Sequence, residues 1–154
     1  MLSAIQLKRH FFTHVAVEID DRCKGKPKEE TYEIDIGTSE PTLDSDNNLW
    51  KLSMQVEFSS PELAKPARYK GRVNLTGLFS LASDFDESKR LNFIRMNGGS
   101  LLLGAAREMV ATITARGSRG ILHLATFDAR MFMKTEPAEA PEEEQEAKGG
   151  NTSE

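Results

Sequence analysis

One cysteine among 154 residues, Cys23, leaves no internal disulfide and no zinc cluster built from cysteines. Long apolar runs are also missing, so nothing in the sequence is suited to span a bilayer. Lys8, Arg9 and His10 precede only a short apolar patch that soon alternates with polar residues, which is not the build of a signal peptide. The expected location is the cytoplasm, without membrane insertion. The stretch "MNGGS" (Met96–Ser100) lacks P-loop spacing and a following lysine, and reads as a hinge before a helix. Neither the serines nor Cys23 has a plausible base, and the paired acids Asp84 and Asp86 fall in a polar loop, so no catalytic residue is expected. His10, His14 and Glu18 share one side of an alternating segment. Residues four apart on a strand are about 13 Å apart, too far to share one metal ion. No metal or cofactor is expected.

Charge of one sign is scarce only at the end of the chain. Beyond Lys134 there are seven acids and one base, within a net charge of −4 overall, which leaves residues 1–134 at +2. With "PEEEQEAKGGNTSE" unable to supply a core, residues 135–154 read as a disordered acidic tail, either a solubilising terminus or an interaction arm, and residues 1–134 as one domain. That domain is weakly positive, and Lys70 and Arg72 lack interleaved aromatics, so no nucleic-acid partner is expected.

What the sequence has is period. Ile5–Ile19, "TYEIDI", "WKLSMQVEF" and Arg68–Leu81 alternate apolar with polar residues, as strands with one buried and one wet face do. Turn chemistry in "DSDNN" and two prolines in "SSPELAKPA" separate them, which predicts a four-stranded antiparallel meander. Asp84–Arg95 reads as a loop with a helical turn. A long helix follows, capped by Ser100 and stopped at Gly117, and Thr126 caps a short last helix in "FDARMFMK". His123, between apolar neighbours, reads as a hydrogen-bonded structural histidine. Strands first and helices after predict an α+β fold with both helices on one face of the sheet.

Two features go beyond a core. Leu102, Leu103, Ala106, Met109, Val110 and Ile113 make one broad stripe on the long helix. Gly104, Ala111 and Ala115 lie opposite with Glu108 beside them, a small-residue seam suited to a second helix. Apolar side chains also collect around the helices: Leu78, Phe79, Leu81, Phe85, Phe93 and Ile94, then Met96, Leu101, Ile121, Leu122, Met131 and Phe132. They read either as core and oligomer contact or as an adaptable surface for apolar partners.

The blocks "GLFSLA" (Gly77–Ala82) and "AREMVATITARGS" followed by "LHLATFDARMF" resemble the SecB export-chaperone family, and the opening strand "IQLKRHFFTHVAVEI" fits its pattern. The resemblance covers residues 4–134 in layout. It implies an ATP-independent, non-enzymatic holdase, a homotetramer built as a dimer of dimers, which binds unfolded preproteins in apolar grooves and hands them to the SecA motor. The twelve apolar residues would then line the client groove, and Gly104, Glu108, Ala111 and Ala115 the helix seam between copies. The sequence departs from the family at Gly104 and Ala105, where a proline and an aromatic are usual, and in the short, proline-free "RGSRGILHLA". On the sheet face that meets SecA, only Glu18 keeps the family's acid, beside His14, Lys70 and Arg72. SecA contact is therefore expected to be weak and to fall to Glu18 and the tail acids Glu142, Glu143 and Glu144. A chaperone dedicated to one partner, such as an antitoxin, is the alternative reading. A small-molecule-binding or enzymatic α+β domain is a third.

Overall fold

The computed structural model describes residues 3–61 and 65–134. The alternating segments become β1 (Ile5–Ile19), β2 (Glu33–Thr38), β3 (Thr42–Asp44), β4 (Leu49–Ser59) and β5 (Tyr69–Leu81). Every pairing is antiparallel, in the order β1-β5-β4-β2, with β3 also on β4. The sheet is thus not the expected four-stranded meander. β1 pairs with the last strand rather than with its successor, because residues 20–32 carry the chain across to the far edge. That edge is broken in two. Pro41 has no N–H to give a ladder, so β2 ends before it and β3 resumes further along the same neighbour.

One face of the sheet forms the core. Leu52, Met54, Val56 and Phe58 of β4 and Tyr69, Val73, Leu75 and Phe79 of β5 are buried there, in the phase that alternation predicts. β1 departs from its sequence pattern. Its register slips between Leu7 and Arg9 and again between Phe12 and His14. Each slip inserts one unpaired residue and reverses the faces beyond it. Phe12, opposite Leu75, and His10 therefore face the helix, while His14, opposite Asn74, lies on the other face and Phe11 is left 38% exposed. His10 and His14 do not share a side.

The helix is longer than its sequence signals suggest. α1 runs unbroken from Glu87 to Ala115, and its N-cap is Asp86, whose carboxylate accepts from the Ser88 N–H at 2.9 Å. Of the expected loop with a helical turn at Asp84–Arg95, only the residues before Glu87 are loop, and the cap is not Ser100, whose hydroxyl instead donates to the Met96 carbonyl. The misleading signal was the Gly98–Gly99 pair, which costs about 1 kcal/mol per glycine against alanine inside a helix. Both glycines are there for close approach. A Cβ on Gly99 would lie 2.8 Å from the Phe132 ring, and one on Gly98 would lie 3.2 Å from Leu52. α1 buries Ile94, Leu102, Leu103, Ala106 and Val110 against the sheet. It ends at Ala115 with Arg116 as its cap, which puts Gly117 just past the end as expected, although the left-handed turn comes later, at Gly120. The last helix is only a 3-10 turn, Ala129–Phe132, capped by Asp128 rather than Thr126.

The chain after α1 is tied to the sheet by a buried ion pair. Arg68 and Glu30, with side chains 10% and 15% exposed, meet at 2.8 Å. Arg68 also donates to the carbonyls of Arg119 and Ile121, and the Tyr69 hydroxyl donates to that of Gly120. Burial pushes the Glu30 carboxyl up, but hydrogen bonds from Arg68 and Tyr32 outweigh it and hold the pKa below the ordinary value.

Candidate functional site: an apolar groove beside the first turns of the helix

Because α1 begins at Glu87, Lys89, Asn92, Phe93 and Met96 fall at helical spacing on one face. Together with Phe85, Ser88, Met133 and Lys134 they line a groove of about 730 Å³, open to solvent. Phe85 and Phe93 form its aromatic end, ring centres 4.4 Å apart and tilted by 39°. The far wall, Met133–Lys134, is held from below: Phe132 plugs into the gap over Gly99, and Met133 stays 43% exposed. Apolar and lined by unbranched methionine side chains, the groove suits a ligand that offers side chains rather than one fixed shape.

The twelve apolar residues named from sequence therefore separate. Phe85, Phe93 and Met96 come together in the groove. Phe79, Ile94, Leu122 and Phe132 are buried in the core and are unavailable to a ligand. Leu81 is half-buried against that core, and Leu78 lies on the opposite face of the sheet, across from Arg9 and Lys51. Leu101, Ile121 and Met131 are exposed but outside the groove lining. Met133, part of the same apolar excess in the sequence, also lines the groove, while sequence reasoning missed Ser88, Lys89, Asn92 and Lys134. The signal for the first three was helical spacing from residue 88 onward, hidden by reading that stretch as a loop.

On the back of α1, Gly104 and Ala115 are exposed and Ala111 is half-buried, with open space over Gly104. Glu108 lines a cleft of about 330 Å³ with Ala105, Met109, Thr112 and, from β1, His10 and Phe12. On the outer face of the sheet two of the bases are matched. Lys70 meets Glu18 at 3.6 Å and Arg72 meets Glu57 at 2.8 Å. The positive charges of Lys70 and Arg72 are thus offset by acids on neighbouring strands. His123 is exposed rather than packed. The tail acids Glu142, Glu143 and Glu144 lie outside the described residues. Among the described residues there is no cluster of three or more potential metal ligands and no helix long and apolar enough to cross a membrane.

No family model matches the sequence, and no curated protein matches it. Solved structures do. The chain is similar to the SecB-like chaperone Rv1957 of Mycobacterium tuberculosis in complex with a ChAD peptide from the Rv1956 HigA1 antitoxin. The identity is 14%, over 81% of this chain and 88% of that one, with a TM-score of 0.58. It also matches a protein of unknown function from Streptococcus agalactiae at 9% identity, over 79% and 97% of the two chains, with a TM-score of 0.45. Identity this low speaks for architecture alone: an antiparallel sheet with one long helix across its face gives this chain the fold of a SecB-like chaperone.

Proposed function

We propose that this chain is an ATP-independent, cytoplasmic holdase that binds unfolded polypeptide in the groove between Phe85, Phe93, Met96 and Met133. The observation that carries the reading is the groove itself, open and apolar on a fold shared with a peptide-bound chaperone. A small-molecule or enzymatic domain calls instead for an enclosed cavity with converging polar groups. The test is aggregation of an unfolded client followed by light scattering without nucleotide. Phe93→Ser with Met96→Ser removes two apolar anchors, expected to cost about 2 kcal/mol or more of binding, on the order of thirtyfold in affinity. The variant should keep its fold and lose suppression; equal suppression would place client binding elsewhere.

Two client ranges fit this groove. Export clients would be many, delivered to the Sec machinery, with SecA contacted through Glu18 and the acids Glu142, Glu143 and Glu144. A dedicated role has one client, and the antitoxin peptide on the M. tuberculosis chaperone favours considering it. Polypeptides captured from cells on the native protein, many or one, decide between the two.

The assembly we propose is a dimer of dimers, with the Gly104, Glu108, Ala111 and Ala115 side of α1 packed on its copy. Exposed small residues on a long helix support this. Ala111→Leu should cost about 1–3 kcal/mol at each repeated contact and yield smaller species in light scattering. A native chain that is monomeric at micromolar concentration would contradict it.

A further inference from the structure

Glu40 sits in the gap between β2 and β3. Pro41 after it is buried, and Ser39 before it is pinned to Ser53 through both a backbone hydrogen bond and its hydroxyl, at 2.9 and 3.0 Å. The backbone that carries this carboxylate is therefore fixed to the sheet. From there Glu40 reaches two cations on different elements. One is Arg95, 8% exposed on α1, which also holds Asn92 at 2.8 Å. The other is Lys134, whose ammonium lies 2.6 Å away. Hydrogen bonds from Lys134 and then Arg95 hold the Glu40 carboxyl below its usual range. Asn92 and Lys134 both line the apolar groove, on its α1 wall and its Met133 wall. One carboxylate anchored to the sheet edge thus joins both walls.

We propose that Glu40 is the positioning residue of the groove, an ionic latch that holds the Met133–Lys134 strap against α1 and sets how far the groove opens to a client. The client consequence rests on the holdase reading, but the latch does not. Without the Lys134 contact, what holds the strap among the described residues is Phe132 and the single-turn hydrogen bonds from the Met131 and Met133 amides to the carbonyls of Asp128 and Arg130. Client exchange in and out of the groove then speeds up, and high salt does the same to the native chain by screening the exposed Lys134 contact.

Lys134→Gln tests this on the full chain, because it cuts the strap from the latch while leaving the buried Arg95 with its partner. Amide hydrogen exchange at Met131 and Met133 should rise about two- to fivefold, the range open to a partly exposed ion pair. Binding of an apolar dye, anilinonaphthalene sulfonate, should rise with it, and the global unfolding midpoint should hardly move. Lys134→Arg should restore native exchange. Glu40→Gln should loosen the strap in the same way and also lower global stability, because it strips the buried Arg95. Native exchange rates and dye binding in Lys134→Gln would overturn the latch whether or not the protein holds clients. A loosened strap in a protein that suppresses no aggregation would keep the latch and discard the holdase reading.

Discussion

Arg68→Ala is expected to destabilise the protein by about 3–5 kcal/mol, a large share of what a domain of this size has to lose. The loss comes less from the ion pair than from what truncation leaves behind. Glu30 accepts from the Arg68 guanidinium, from the Arg68 backbone N–H at 2.7 Å and from the Tyr32 hydroxyl at 2.7 Å, in a site that is 15% exposed. Without the guanidinium, that carboxylate is buried with no cation. The carbonyls of Arg119 and Ile121 lose a donor as well, so the segment after α1 comes loose from the sheet. The effect carries a pH signature. Glu30 has a folded pKa below its ordinary value of 4.5, so its stabilising contribution is complete above that value and is lost as pH falls through the folded pKa. Urea denaturation should therefore show the full difference between native and Arg68→Ala protein near neutrality, and the difference should narrow as acid protonates the Glu30 carboxylate, first in the variant, where it is buried without a cation. A loss under about 1 kcal/mol at pH 7 would mean that water already reaches the pair.

Phe79→Ala should cost about as much, 3–5 kcal/mol or so, by a different route. The ring is fully buried under α1, so close to the backbone that a Cβ on Gly77 would lie 2.8 Å from it and one on Gly98 would lie 3.3 Å from it. Removing it leaves a cavity that neither strand nor helix can close. The folded fraction should hold clients as well as the native protein does, which is the reverse of the outcome at Phe93 and Met96. Calorimetry and light scattering on the two variants separate core from groove. A Phe79→Ala protein that kept its stability and lost its holding would exchange the two assignments.

That contrast marks how far the sequence could be read. The β4 and β5 alternation fixed the buried face correctly, because strict period two leaves one solution. On β1 the same reasoning failed, since a bulge changes phase without leaving a mark in composition. Gly98 and Gly99 read as a hinge because glycine disfavours helix; only the position of Leu52 and Phe132, far away in sequence, shows that they permit contact. The gathering of apolar and methionine side chains beside the helix was legible in their excess in the sequence. Its membership was not. Ile94 and Phe93 are neighbours in sequence and similar in hydropathy, yet one is fully buried and the other lines the groove. Glu40 had no sequence signal at all, since its role depends on a strand break that brings it to Arg95 and Lys134.

The central claim is that unfolded chains lie in the groove beside the first half of α1. A photo-crosslinking amino acid placed at Phe93, and separately at Glu57 on the outer face of the sheet, tests it most directly. With a denatured client diluted into the protein in the absence of nucleotide, position 93 should crosslink to the client, position 57 should not, and a folded client should be left alone by both. Crosslinks at position 57 with none at position 93 would contradict the account.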